Sequence, residues 1–299
     1  MTSVKEFRVE TAATPDRLGR GAFVFTDDYS VFDWGKMPDA IPNKGASLCA
    51  MGAANFERLE TAGLPTHYRG VVAGGEVGQL EAAVEVVFRN TVPVGSSLRG
   101  RADPGEFDLE YDRWPDEPVD LPGPVVEFST KFEESDRYLD RETADAIAGT
   151  ADVDDLERIA RAVNDLVTET AAEAGLKHED GKIECLYADG EVRVADVVGT
   201  FDENRFAFEG QQLSKEVLRQ YHKRTRPGWV EAIEDAKAAA TAQDVADWRS
   251  FCDREPEPLA DHVIVAVRDM YAAGANAYIG RALFDAPPLS DAVETVRAL

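Results

Sequence analysis

From Asp152 to Ala174 the apolar residues Val153, Leu156, Ile159, Val163, Leu166 and Val167 recur every three or four positions, and Gly175 follows where a helix C-cap belongs. The spacing predicts an amphipathic helix over that span. Lys182–Tyr187 and Glu191–Val198 then flank Ala188-Asp189-Gly190, which is a hairpin signal. Upstream, Glu6 to about Phe25 reads as extended segments broken by Pro15 and a Gly19-Arg20-Gly21 turn. Ser47–Leu59, rich in Ala, Leu and Met, predicts a helix with Ser47 as its cap, and Glu85–Arg89 predicts a strand. Arg101–Pro124 holds five prolines among many acids, so it reads as an irregular surface excursion and a candidate domain boundary. Further helices are expected after Ser214 and Gly228, and an alanine-rich one over about Pro258–Leu283, interrupted at Gly274. No internal repeat or low-complexity tract interrupts this order.

Composition changes the picture in one respect. The 299 residues carry 57 acidic and 32 basic side chains, a formal net charge of -25, while the 44% hydrophobic content is that of a folded chain. A surface this negative repels phosphodiesters and anionic membranes, which excludes nonspecific nucleic-acid binding. Only nine of the basic residues are Lys. Acid-rich, lysine-poor surfaces suit molar salt, where a Debye length of roughly 3 Å screens self-repulsion, so a halophilic setting is expected. No apolar run approaches the roughly 20 residues of a membrane span and no signal-peptide core opens the chain, so a cytoplasmic protein is expected. Cys49, Cys185 and Cys252 lie far apart without a CxxC pair, and all three are expected as buried thiols.

Four groups of residues suggest chemistry. Asp180, Lys182 and Glu184 alternate along one strand and therefore share a face. Asp196 joins them only in one hairpin register: a three-residue loop pairs it with Lys182, whereas a two-residue loop pairs Glu184 with Ala195 and turns Asp196 away. Two carboxylates with an ammonium suit magnesium and nucleotide phosphates, although a solvated edge hairpin has the same pattern. Asp28–Asp33, followed by Ile41–Gly45, could present Ser30, Asp33 and Lys44 to an anion, or could be a turn and a helix cap. Arg89, followed by Gly95-Ser96, suits fork-type binding of carboxylate or phosphate, against a surface ion pair. Arg205, Lys215 and Arg219 form an unusual basic grouping for so acidic a chain, against a charged helix face balanced by Glu216. The four histidines are scattered, and there is no GxSxG, GxGxxG or Walker loop, so covalent catalysis, a Rossmann fold and a P-loop are all disfavoured.

Taken in order, these segments resemble the SAICAR synthetase family. The resemblance rests on Ser30-Val31-Phe32-Asp33 with Lys44-Gly45, on Glu85 to Arg89 with Gly95-Ser96, on Asp180-Gly181-Lys182-Ile183-Glu184, on Asp196 with Asp202 to Arg205, and on Lys215 with Arg219. It runs from about residue 19 to 283, and the acidic composition is similar to haloarchaeal members. Gly19-Arg20-Gly21 stands where the family has a G-K-x-R/K phosphate loop, leaving Arg20 as its basic residue.

The resemblance implies an α+β fold of two lobes, an N-terminal antiparallel-sheet lobe over 1–125 and a larger mixed lobe over 126–299, with a nucleotide cleft between them. It implies ligation of L-aspartate to the carboxylate of carboxyaminoimidazole ribonucleotide, driven by ATP, with magnesium bridging phosphates and carboxylates. Glu184 and Asp196 would hold the metal; Arg89, Ser96, Arg205, Lys215 and Arg219 would surround the ribonucleotide's carboxylate and phosphate. Lys182 and Asp180 would lie against the reacting carboxylate. Ser30, Asp33 and Lys44 would serve the aspartate and phosphate-transfer region, with Arg20, Lys44 and Lys131 on the nucleotide side. Small-molecule substrates are the expected partners, without nucleic acid or membrane, and self-association is left open. Two other readings stand beside this one. A relative could keep the ribonucleotide pocket without ATP turnover, and an acidic scaffold could carry these clusters as surface charge.

Overall fold

The computed structural model describes residues 5–12, 14, 18–71, 84–130, 137–243 and 245–299. Lys131 lies outside the described residues. The chain opens with a two-stranded antiparallel sheet, β1 (Lys5–Thr11) and β2 (Arg20–Phe25), followed by helix α1 (Lys44–Thr61). A seven-stranded sheet then forms from β3 (Val84–Val92), β4 (Val119–Thr130), β5 (Tyr138–Leu139), β6 (Lys177–Ala188), β7 (Glu191–Ala195), β8 (Asn204–Phe208) and β9 (Gln211–Gln212). Helices α2 (Arg141–Ala148) and α3 (Val153–Glu173) interrupt the strands, and α4 (Glu216–Thr225), α5 (Pro227–Ala242), α6 (Asp261–Ile279) and α7 (Leu289–Arg297) close the chain. The fold class is α+β, as expected. The 125/126 division falls inside β4, and β3 and β6, from either side of it, are neighbours in the same sheet. Hydrogen bonding in one continuous sheet therefore crosses that boundary.

The long amphipathic helix forms as its periodicity predicts. The Asp152 side chain accepts from Asp154 N–H at the start, and at the end Gly175 adopts φ 72° while Leu176 N–H reaches Ala171 C=O at 2.8 Å, closing the last turn. Its buried stripe, including Leu156, Ile159, Val163 and Val167, packs on one face of the central sheet. Val86 and Phe88 of β3 and Ile183 and Cys185 of β6 supply that apolar face. Period-2 alternation leaves the opposite face to the charged residues.

Four local expectations are corrected. Helix α1 begins at Lys44 instead of Ser47, because Asn43 takes a left-handed φ of 67° and Asp27 accepts from Asn43 N–H at 3.2 Å and Gly45 N–H at 3.0 Å. The cap thus comes from a residue distant in sequence, and Ser47 is buried inside the helix. Part of the proline-rich stretch is strand: β4 includes Pro122 and Pro124. The register jumps from Arg89 opposite Val125 to Thr91 opposite Asp120, so a bulge absorbs the residues that cannot donate. Helix α6 runs through Gly274 unbroken, since a Cβ there would stand 2.7 Å from the Phe201 ring; the glycine serves close packing. Among the thiols, only Cys185 is buried, while Cys49 and Cys252 are half-buried.

Candidate functional site

The hairpin takes the two-residue loop. Ala188 pairs with Glu191 and Glu184 with Ala195, while Asp189 and Gly190 have φ of 55° and 86°, as a type I′ turn requires. A regular strand would now point Asp196 away from Glu184. Instead β7 ends at Ala195 and Asp196 adopts φ 58°, so strand alternation stops there. The buried Asp196 carboxylate bonds Lys5 of β1, and Lys5 also lies 3.7 Å from Glu203. Glu203 in turn is 3.6 Å from Lys182, which bonds Glu85 at 2.9 Å. The structure therefore brings Asp196 into the same network as Lys182.

Cross-strand register assembles the rest of this polar wall. Glu85 lies opposite Glu184, Val87 opposite Lys182, and Arg89 opposite Asp180, which is opposite Arg205 on its other side. Asp180 thus sits between two guanidinium groups, at 2.7 Å from Arg205 Nη1 and 3.3 Å from Arg89 Nη1. Burial pushes its carboxyl above the usual carboxylate range, against the pull of both arginines. Arg89 is itself buried and also donates to Glu127 at 2.6 Å and to the Tyr138 hydroxyl at 2.8 Å.

Beside this wall lies a cleft of about 990 Å³, lined in part by Asp33, Gly95, Lys177, Glu179, Arg205, Arg219, Lys223 and Lys237. Three of the expected site residues, Asp33, Arg205 and Arg219, line it directly. Burial raises the Asp33 carboxyl, but the Lys237 bond and the charges of Lys237, Arg219 and Lys215 outweigh it, so its pKa ends below the ordinary value. Lys215 stands just before α4, half-buried; desolvation lowers its pKa against the attraction of Asp202 and Glu203.

Other expected residues have different settings. Ser96 is buried and caps a short 3-10 turn by accepting from Leu98 N–H at 3.3 Å, leaving its neighbour Gly95 on the cleft. Ser30 is half-buried and does not line the cleft. Arg20 is 68% exposed on the β1 and β2 hairpin, paired with Glu10 at 2.9 Å. Lys44 is fully buried, 2.6 Å from Asp202 and over the Tyr271 ring, and Tyr271 donates to the same carboxylate at 2.8 Å. Its ammonium is thus engaged in the frame behind the wall, away from the surface of the cleft.

Sequence reasoning missed Lys5, Lys177, Lys223, Lys237 and Tyr138, and quoted Glu203 within a motif without giving it a role. Lysine scarcity was the available signal. Lys177, Lys223 and Lys237 line the cleft and Lys5, Lys44, Lys182 and Lys215 stand on or behind the wall, so seven of the eight lysines among the described residues gather here. Among the described residues no three His, Cys, Asp or Glu side chains converge as a metal cage. Of the two expected metal ligands, Glu184 is buried opposite Glu85 and Asp196 is buried against Lys5; their oxygens are the donor type of a hard divalent cation, which commonly takes one or two carboxylates and fills its sphere with water and phosphate.

Comparison with known proteins adds independent findings. The family model for SAICAR synthetase matches residues 12–236. The chain is 36% identical to an Archaeoglobus fulgidus protein with the provisional name phosphoribosylaminoimidazole-succinocarboxamide synthase, over 99% of both chains. It is 27% identical to the phosphoribosylaminoimidazole-succinocarboxamide synthase of Thermoplasma acidophilum, over 83% of this chain and 89% of that one. The SAICAR synthase of Saccharomyces cerevisiae complexed with SAICAR shares the fold at a TM-score of 0.65 and 19% identity, over 94% of this chain and 93% of that one. A SAICAR synthetase in complex with ADP does so at 0.59 and 24%, over 86% of this chain and 99% of that one. With a family model matching three quarters of the chain and a relative 36% identical over 99% of both chains, this protein belongs to the SAICAR synthetase family.

Proposed function

We propose that the protein is an ATP-dependent ligase that joins L-aspartate to the carboxylate of carboxyaminoimidazole ribonucleotide, giving SAICAR, ADP and phosphate in purine biosynthesis. The observation that carries this reading is the row Arg89, Asp180 and Arg205 continuing into Arg219 and the lysines of the cleft. In a chain of net charge -25, a cleft lined by Lys177, Arg205, Arg219, Lys223 and Lys237 against Asp33, Glu179, Glu209 and Glu216 is locally the reverse of the overall charge and suits anionic small molecules. The complex of the family relative with ADP supports a nucleotide as one of them.

The chemistry follows in two steps. The ribonucleotide carboxylate attacks the γ-phosphorus of ATP and releases ADP, giving an acyl phosphate. Aspartate, arriving as its ammonium, releases one proton to solvent; the free amine then attacks the acyl carbon, passes a second proton to solvent, and expels phosphate. The chain contributes position and charge, with no protein nucleophile. Arg205 and Arg219 hold the ribonucleotide's anionic groups, with Arg89 fixing Asp180 behind them; Lys182 balances the carboxylate being activated. Asp33, whose lowered pKa keeps it ionised, faces the end of the cleft where aspartate brings its ammonium group. Glu184 and Asp196 would hold magnesium, which neutralises phosphate charge when bound.

A single assay tests the reading. Formation of SAICAR is followed in molar KCl with ATP, magnesium, ribonucleotide and aspartate. Turnover dependent on all three substrates is expected; ribonucleotide binding without turnover would select the non-catalytic relative instead.

A further inference from the structure

The turn that carries Asp33 is strained and externally held. Phe32 and Asp33 both adopt left-handed backbone, φ 55° and 60°, and Gly35 follows at 93°. Left-handed backbone at a residue with a Cβ is unfavourable, and two in succession persist only where the surroundings over-determine them.

Most of those surroundings, Lys237, Trp248 and Arg249, come from beyond the family-matched residues 12–236. Arg249, on a 3-10 turn over Trp248–Phe251, donates through Nε to Trp34 C=O at 2.6 Å and through Nη2 to Asp33 C=O at 2.9 Å. Lys237 of α5 bonds the Asp33 carboxylate at 2.5 Å. Trp34 packs edge-on against Trp229 and Trp248, each at 5.7 Å between centroids, and Lys237 and Arg249 lie over the Trp248 ring at 5.2 and 5.3 Å. At Gly35 an added Cβ would lie only 3.2 Å from Arg249 Nη2, so the turn admits the guanidinium closely.

The contacts differ in what they can do. Asp33 is 77% exposed in its ion pair with Lys237, so molar salt screens that pair, and a substrate cation could replace the lysine. Arg249 meets two backbone carbonyls through a rigid fork, and neither acceptor is an ion that salt or a substrate cation would exchange. We infer that Arg249 is a positioning residue: by gripping the carbonyls of Asp33 and Trp34 it holds the left-handed turn that presents the Asp33 carboxylate to the cleft, and so sets the affinity for the amine substrate. The inference rests on the ligase reading for the identity of that substrate.

Kinetics and fluorescence in molar KCl test it. Arg249→Ala is expected to raise KM for L-aspartate by about tenfold or more, since displacements near 1 Å can lower rates by about 10²-fold, while KM for ATP and the thermal midpoint stay near wild type. Arg249→Lys, which can reach one carbonyl, should fall between. Adding Arg249→Ala to Asp33→Ala should cause no further loss. Trp34, Trp229 and Trp248 are three of the four tryptophans, so Arg249→Ala should also shift the emission of the unliganded protein. An unchanged KM for aspartate in an active enzyme overturns the inference, as does a loss that multiplies with that of Asp33→Ala. If the alanine variant does not fold, an unchanged KM in Arg249→Lys overturns it equally. Absence of SAICAR formation by the wild type would instead sink the ligase reading, and unchanged emission in either Arg249 variant would then still refute the clamp.

Discussion

Replacing Lys44 with methionine separates two roles for a lysine that the family motif places near ATP. Its side chain is fully buried against Asp202 at 2.6 Å, and the Asp202 carboxylate also accepts from the buried Tyr271. Lys44→Met keeps most of the volume but leaves a buried carboxylate without its closest cation. Removing one partner of such a pair destabilises by about 3–5 kcal/mol, since the remaining charge has lost its compensation. Each kcal/mol moves Tm by roughly 2 °C in a large domain, so a fall of about 6–10 °C is expected. Asp202→Asn in the same background should recover much of it, because a neutral amide can still accept from Tyr271 and is less strongly desolvated. Thermal unfolding of the single and double variants in molar KCl measures both effects, and KM for ATP is taken alongside. A Tm within 2 °C of wild type together with a KM for ATP raised tenfold would show that Lys44 is a phosphate ligand, and the frame assignment would be wrong.

Further outcomes follow from other parts of the site. Arg205→Gln removes a charged donor from Asp180 and from the cleft, so KM for the ribonucleotide should rise about tenfold to a hundredfold; a change below threefold in steady-state kinetics would exclude Arg205 from the binding row. Glu184→Gln should abolish magnesium-dependent turnover with the circular dichroism spectrum intact, and a wild-type rate would remove Glu184 from the metal site. Burial lowers the His178 pKa to about 3, so between that value and the ordinary 6.5 the unfolded chain binds the extra proton and stability falls with falling pH. From pH 7 to pH 5 the His178 contribution is about 2 kcal/mol, and urea unfolding of His178→Gln should show a correspondingly flatter slope; an equal slope would contradict a buried neutral imidazole. Lowering KCl from molar to 0.1 M lengthens the Debye length from roughly 3 to 10 Å, so Tm should fall as the acidic surface repels itself; a constant Tm would argue against a salt-adapted surface.

Sequence and tertiary structure divide the account of this protein along physical lines. Periodicity of 3.6 and 2 is written locally, so the helix Val153–Glu173 with its Gly175 cap and the strand bearing Asp180, Lys182 and Glu184 are legible without a fold. Scarcity of lysine in an acidic chain was legible too, because so few ammonium groups stand out among so many carboxylates. Contacts between distant segments were not. The cap that Asp27 gives α1, the burial of Lys44 against Asp202, and the grip of Arg249 on the Asp33 turn each join residues whose sequence separation carries no periodic signal. Nor could alternation along the hairpin decide Asp196: one left-handed residue ends the period-2 pattern and swings a carboxylate into the network of Lys5, Glu203 and Lys182. Side-chain chemistry and local spacing determined which residues could act, and backbone conformation with long-range packing decided which of them meet.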